Sequence, residues 1–328
     1  MKYMKKKILR QVVESIRKNK KFIITSHRNL EGDALGSELA FFRLLRKIGK
    51  EALMVNADPV PYSYSFLPDI EKIAKYKKSL AGLRFDCFVT LDCSGMNRCG
   101  EVSNIRINSD TVVNIDHHIS NEAFGDVNWV DPKASSCSEM VYGLYKEMRV
   151  PFDKSSALQL YTGIMTDTGS FKYVNTTPAT FMAAAELTKF NLDINGIYRK
   201  VYEDIPFEDI KFLLSVLPAI KRGVNGRIVW FKITKKITPG KLAIDLSEHL
   251  LNFGRSIKNV DVVVLFKENL GDNKEVRVNF RSQGRVDVNK IAAFFGGGGH
   301  KTASGCTIEG GIDEVIHKVI GKIKSEIK

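Results

Sequence analysis

Apolar residues along this chain follow two rhythms that take turns. Residues 21–25 form a short apolar run that closes on Ser26 and His27, which predicts a buried strand. From Gly32 the spacing changes to three and four, with Leu35, Leu39, Phe42, Leu45 and Ile48 on one face, and it stops near Gly49. That pattern predicts a helix. Strand-like runs recur at 52–55, 87–91 and 112–115, and each of the last two leads into an aspartate. Helical spacing occupies 136–148 and 155–165. Strands alternating with helices imply a mostly parallel sheet flanked by helices, with ligands gathering beyond the carboxyl ends of its strands.

Past about residue 192 the texture changes. Helical stretches at 194–202 and 207–220, interrupted by Pro206, read as a connector. A strand is expected at 227–233, a helix at 242–253, and paired strands at 260–266 and 275–280 around the turn Gly271-Asp272-Asn273. A short helix at 288–295, the glycine run 296–299, a strand near 306–308 and a last helix close the chain. The expectation is an α/β protein. A phosphoryl-site domain (1–192) would carry the parallel sheet, a helical linker (193–222) would follow, and a smaller mixed α/β domain (223–328) would end it.

Composition narrows the class. The chain of 328 residues is 44% apolar, long enough for two domains with cores, and has no stretch of about 18 uninterrupted apolar residues. The basic amino terminus lacks the apolar run of a secretory signal, so residues 1–21 read as part of the working protein. Five cysteines with no CxxC pair suit buried thiols in a reducing cytoplasm rather than a disulfide frame or a zinc site. Cytoplasmic location, and no membrane partner, are therefore expected.

The net charge of +13 is unevenly spread. Residues 1–21 hold nine lysines and arginines against one glutamate, whereas 22–192 hold 18 basic and 20 acidic groups and 193–328 hold 23 and 16. A slightly acidic middle between basic flanks suits a metal site facing a surface that attracts phosphates. Solubilising surface lysines would give the same totals, so charge alone does not decide.

The chemistry is carried by four clusters at the ends of expected elements. They are the run from His27 through Glu31 to Asp33; Asp92 after the strand at 87–91; Asp116-His117-His118 after 112–115; and Asp167 in Thr166-Asp167-Thr168-Gly169. Hard divalent cations take carboxylate oxygens, and manganese also accepts imidazole nitrogen. A pair of such ions about 3.5–4 Å apart can clamp a phosphoryl group. A lone strand-end aspartate is usually a cap or turn residue, but four clusters in this arrangement favour a metal centre. A fifth feature is the glycine run followed by His300 and Lys301, with Arg281-Ser282 on the preceding strand. Glycines bare backbone N–H groups for a phosphate, and arginine grips one with two bonds.

Together these segments resemble the DHH phosphoesterase family, in the branch with a DHH-associated C-terminal domain and a GGGGH motif. The matching stretches are HRNLEGDALGS (27–37), LDCSGMNRCG (91–100), NIDHHISN (114–121), TDTGSF (166–171) and FRSQGRVDVNKIAAFFGGGGHKTASGC (280–306). Within the family the chain is most similar to the bacterial nanoRNase group, which acts on short oligoribonucleotides and pAp. The resemblance implies two divalent cations, Mn²⁺ first, with Mg²⁺ or Co²⁺ as substitutes. His27, Glu31 and Asp92 would hold one, and Asp33, Asp92, His117 and Asp167 the other. His118 would assist the leaving oxygen. Asp116 would orient an imidazole and Arg98 would brace the site. Arg281, Ser282, Gly297, Gly298, Gly299 and His300 would dock a terminal phosphate or ribose.

One position departs from the family pattern, which has aspartate where this chain has Glu31. Glutamate still binds divalent ions, but its extra methylene shifts the carboxylate, so a changed metal preference is expected at that site. The expected partners are short single-stranded RNA, oligonucleotides or nucleotides, acted on by a monomer or homodimer. Competing readings are a phosphodiesterase for cyclic di-AMP or its linear product pApA, a pyrophosphatase, a longer-range single-strand exonuclease, and a nucleotide-binding protein without activity.

Overall fold

The structure, a computed structural model, describes residues 2–237, 246–268 and 274–327. It divides into two compact units, 1–204 and 205–328. The stretch expected as a linker contributes one helix to each. The expected turn Gly271-Asp272-Asn273 and the start of the expected helix at 242–245 lie outside the described residues.

The first unit is built on a six-stranded parallel sheet: β1 (Lys21–Thr25), β2 (Glu51–Asn56), β3 (Ile73–Lys75), β4 (Phe85–Leu91), β5 (Ser109–Asp116) and β6 (Val127–Val130). Their order across the sheet is β3-β2-β1-β4-β5-β6. Helices α1 (Lys2–Lys18), α2 (Gly32–Lys47), α3 (Cys137–Met148), α4 (Lys154–Asp167), α5 (Pro178–Thr188) and α6 (Ile194–Tyr202) complete it. Both faces of the sheet are covered, which is why its strands are continuous apolar runs. Phe22 and Ile24 enter the larger core with Leu35, Leu39, Leu44 and Leu144, while Ile23 between them enters a smaller one with Val55, Phe88 and Ile105. The order reverses between β1 and β4. In such sheets that reversal opens a crevice at the carboxyl edge, where ligands bind.

Three glycines let α2 and α4 approach unusually closely. A Cβ on Gly32 would overlap the Thr166 side chain, one on Gly36 would run into the backbone carbonyl of Gln159, and one on Gly163 would overlap Ser138. Gly36 thus meets α4 backbone, while Gly32 meets the Thr166 side chain of α4 and Gly163 the Ser138 side chain of α3.

The second unit carries α7 (Phe207–Val216), β7 (Lys221–Gly223), β8 (Ile228–Ile233), α8 (Ser247–Arg255), β9 (Val262–Glu268), β10 (Glu275–Ser282), α9 (Val288–Phe294), β11 (Gly298–His300), β12 (Ala303–Glu309) and α10 (Ile312–Glu326). Its sheet runs β11-β12-β10-β9-β8-β7, with β8 and β9 parallel and the other pairs antiparallel. Again successive residues serve two cores: Val262, Val264 and Phe266 one, Val263 and Leu265 the other. No helix among the described residues is long and apolar enough to cross a membrane.

The glycine run, expected as a phosphate loop, is ordered secondary structure. Gly296, at φ +76°, ends α9: its N–H donates to the carbonyl of Ala293 and that of Gly297 to Ala292. These are the paired bonds of a Schellman cap. A Cβ on Gly297 would collide with the backbone of Gly305, and Gly298 and Gly299 pair with Gly305 and Ser304 in β12. Packing alone therefore leaves no room for a side chain at Gly297 and Gly299.

Candidate metal centre

The polar clusters of the first unit converge at the carboxyl edge of its sheet. His27 follows β1 and Asp92 follows β4, the two strands that flank the reversal. Asp116, His117 and His118 continue from β5, Asp33 lies in the first turn of α2, and Asp167 ends α4. All but Glu31, at 55% side-chain exposure, and Asp167, at 17%, are buried.

Asp92 sits in the middle with a left-handed backbone, φ +54°. Such a conformation in a residue other than glycine costs energy and persists where the surroundings enforce it. Its Oδ2 lies 3.4 Å from Nε2 of His27, and its Oδ1 lies 3.4 Å from Nε2 of His117. Glu31 Oε1 stands 3.6 Å from His27 on one side. Asp33 Oδ2 and Asp167 Oδ2 stand 3.7 and 3.6 Å from His117 on the other. Two donor groups result, His27 with Glu31 and Asp92, and Asp33 with Asp92 and His117, each with ligand atoms within 4.8 Å of one another.

Whether these residues fit divalent cations is tested by the atoms left over. Both oxygens of Asp92 and Nε2 of His27 are buried without a hydrogen-bond partner. The Nδ1 of His27 is 2.7 Å from the carbonyl of Arg28, and that of His117 is 3.3 Å from the carbonyl of Ala134. A ring N–H on each Nδ1 donates there and turns the Nε2 lone pair toward the carboxylates, the posture of a metal-binding imidazole. At metal–oxygen distances of about 2.0–2.6 Å, neighbouring donors stand roughly 3–4 Å apart, the spacing seen here. The cysteines do not compete: Cys137 Sγ faces the carbonyl of Ile115, and Cys93 and Cys99 face each other at 3.4 Å. The donor set is oxygen-rich with two imidazoles and fits hard divalent ions of the Mn²⁺ type.

The charges of the site shift one another's protonation. Burial pulls His27 down, yet the Asp92 and Glu31 carboxylates push it up to about 10, against the nearby charge of Arg98. His117 likewise rises despite burial, because Asp167, Asp92 and Asp33 face it. Burial lifts Asp167 to about 7 and, with Asp92 and Asp167 close by, raises Asp33 well above the carboxylate range. Asp92 is held well below that range, burial being outweighed by His117 and His27. The imidazoles are raised and Asp92 is lowered because opposite charges face each other at close range.

Around this core sit residues that hold it. Asp33 accepts the N–H of Cys137 at 2.6 Å and of Ser138 at 2.8 Å, at the amino end of α3 where negative charge is favoured. Burial would lift Asp116, but His118 keeps it at about 2; its Oδ1 accepts from His118 Nδ1 at 2.7 Å. Arg98 reaches Ser94 Oγ at 3.4 Å, and its carbonyl accepts the N–H of Arg28. The sequence reading missed three asparagines. Asn121 donates to Asp116 Oδ2 at 2.6 Å and to Asn114 Oδ1 at 2.8 Å, and Asn175 donates to Asp167 Oδ2 at 3.2 Å. Asn114 was detectable as an amide inside the apolar run of β5, a position that demands hydrogen bonds.

The remaining expected site residues lie in the second unit. Arg281 on β10 is ion-paired with Glu248 of α8. Ser282, expected to touch substrate, is instead turned into the unit. The two-residue period of β10 puts it on the same face as Val276, Val278 and Phe280, and its hydroxyl donates to the carbonyl of Val286 at 2.8 Å. Gly297 is half-buried against β12, Gly298 and Gly299 form β11, and the His300 carbonyl accepts from Ser304 Oγ at 2.6 Å.

A buried two-part carboxylate–imidazole centre at the reversal of a parallel sheet, with a separate mixed-sheet unit, agrees with the family comparison. Residues 21–164 match the DHH family, N-terminal domain, and residues 226–328 match the DHHA1 domain. The chain belongs to the DHH family and is a hydrolase of its phosphoesterase type.

Among curated relatives it is similar to two proteins named bifunctional oligoribonuclease and PAP phosphatase NrnA. That of Thermus thermophilus is 30% identical over 305 residues, 93% of this chain and 89% of the relative. That of Bacillus subtilis is 30% identical over 294 residues, 87% of this chain and 88% of the relative. Among solved structures, an exopolyphosphatase-related protein of Bacteroides fragilis superposes with a TM-score of 0.84 at 27% identity, covering 97% of this chain and 95% of that one.

Proposed function

We propose that this chain hydrolyses phosphoester bonds in short oligoribonucleotides and in pAp-like nucleotides, using two divalent cations of the Mn²⁺ type. The carrying observation is Asp92, whose two oxygens face His27 and His117 at 3.4 Å each and have no hydrogen-bond partner. A carboxylate in that position would be shared by both ion sites. His27 and Glu31 would complete one site, and Asp33, His117 and Asp167 the other. The names of the relatives supply the substrate class.

Bound cations would act as Lewis acids that neutralise phosphoryl oxygens and acidify an attacking water. The chain's own residues supply the rest. Asp116, held ionised, fixes the Nδ1–H of His118 and stabilises the charged ring. His118 then presents Nε2 as the atom that delivers a proton to the leaving oxygen, as an oriented imidazole does in other hydrolases. Asn121 holds Asp116 in turn. In the second unit, Arg281 is the group suited to grip a terminal phosphate, once that phosphate competes with Glu248.

The test is a panel of 5′-phosphorylated substrates with Mn²⁺: a dinucleotide, a pentamer, a long RNA, pAp, pApA, cyclic di-AMP and pyrophosphate. Rapid turnover of the dinucleotide and of pAp is expected, with the long RNA slow. Selective cleavage of cyclic di-AMP or of pyrophosphate would overturn the substrate assignment. Nucleotide binding without turnover of anything would overturn the activity itself.

A further inference from the structure

Strand ends that carry metal-binding side chains have to be held, and a buried chain of hydrogen bonds runs beneath two of them. Glu38, on α2, is wholly buried. Its Oε2 accepts from Nδ2 of Asn56, the last residue of β2, at 2.7 Å. Oδ1 of Asn56 accepts the backbone N–H of Ser26 and the hydroxyl of Thr25, both at 3.1 Å. Ser26 Oγ donates onward to the carbonyl of Leu91 at 2.7 Å. The chain therefore starts on α2, crosses the ends of β2 and β1, and finishes on β4. The next residues after Ser26 and Leu91 are His27 and Asp92.

We propose that Glu38 and Asn56 are positioning residues of the metal centre, which lock the ends of β1 and β4 together and so set the separation of His27 from Asp92. The inference rests on the metal-centre reading above. An apolar residue on this face of α2 would pack without cost, whereas a buried carboxyl is expensive. Glu38 even leaves Oε1 without a hydrogen-bond partner. Its one bond is the acceptor that Asn56 needs. With Oδ1 taken by Ser26 and Thr25, the Asn56 amide must point its N–H group into the core, and only an acceptor there keeps it from turning. Burial pushes Glu38 up to about 8, with the Asn56 bond offsetting only part of the rise, which favours the neutral acid. A glutamine would match it in shape and in charge.

The experiment compares Glu38→Gln, Glu38→Met and a control, Leu45→Ala, which empties a buried site on the same helix away from the strand ends. Calorimetric titration with Mn²⁺ and thermal unfolding are measured on each full-length variant. NMR of the histidine imidazoles is recorded on the metal-free proteins. Glu38→Met is expected to weaken Mn²⁺ binding roughly 10-fold or more, the usual cost of losing a residue behind the ligands, with Glu38→Gln within about twofold. The His27 resonance should move in Glu38→Met, stay in Glu38→Gln, and stay in Leu45→Ala despite its lower Tm. An unmoved His27 resonance in Glu38→Met, or equal weakening of Mn²⁺ binding in Leu45→Ala, overturns the proposal. If the unsubstituted protein binds no Mn²⁺, the metal reading fails, and the imidazole spectra still decide the positioning role.

Discussion

The charged residues at the sheet edge of the first unit and those of the second are treated in opposite ways. In the first, carboxylates and imidazoles are buried together at a sheet edge, spaced at 3.4–3.7 Å, with both oxygens of Asp92 left without hydrogen bonds. In the second, the charges are paired off: Arg281 with Glu248, Arg227 with Asp261 at 2.5 Å, Lys232 with Asp313 at 2.5 Å. An unsatisfied buried cluster is expensive without an ion and is retained where an ion repays it. A satisfied, partly buried pair has its charges compensated, and a ligand must displace one member to use the other. On the proposed reading, the first unit would take up cations and the second would exchange one of its ion pairs for a ligand.

The largest test of that contrast is Asp92→Ala. It removes the carboxylate shared by both donor groups, so hydrolysis should fall by about three orders of magnitude or more, on the order of 4 kcal/mol in the barrier. Mn²⁺ at about 100 times its Kd should stabilise the unsubstituted protein by roughly 2.7 kcal/mol. The same addition should leave Asp92→Ala unmoved in a thermal scan. A metal-induced rise in Tm that survives the substitution would place the ions elsewhere.

A smaller effect is expected in the second unit. Glu248→Gln removes the carboxylate that competes for Arg281, so KM for a 5′-phosphorylated dinucleotide should fall several-fold while kcat holds, a uniform-binding change of about 1 kcal/mol. An unchanged KM would mean that Arg281 does not meet the phosphate.

The smallest concerns a paired charge in the first unit, outside the candidate centre. Asp153 caps α4 and meets Arg43 and Lys47 at 2.8 and 3.0 Å. Burial would lift its pKa, but Arg43, the Ser156 N–H and Lys47 hold it well below the usual carboxylate range. A depressed carboxylate stabilises the fold above its unfolded value near 3.9, and that stability is lost as pH falls through the lower folded value. The group is about a third exposed, so the contribution is roughly 1 kcal/mol or less. Asp153→Asn should therefore lower Tm slightly at pH 7 and converge with the unsubstituted protein in strong acid.

Much of this arrangement was legible in the chain itself, and the reasons for the rest are physical. The ligand clusters stood out because each follows an apolar run, and in a parallel sheet those run ends share one edge. β3, β6 and β7 did not stand out, since three or four residues are too few to display a period. Glu38 gave no signal in the sequence, because its partner Asn56 is 18 positions away and only folding brings them together. The inward turn of Ser282 was present in the alternation of β10 but was overridden by the attraction of a serine beside an arginine. The glycine run was read for its bareness, when a helix cap and a close strand pairing already require it.

The close seam between α2 and α4 has a meaning for inheritance. Gly32 and Gly36 leave no room for a Cβ against Thr166 and the Gln159 carbonyl, and Gly163 leaves none against Ser138. A scan of every substitution would score these three positions as severely as the ligands themselves. Lineages can repaint the surface of this fold and vary its apolar filling, while the gap between two helices stays closed to change.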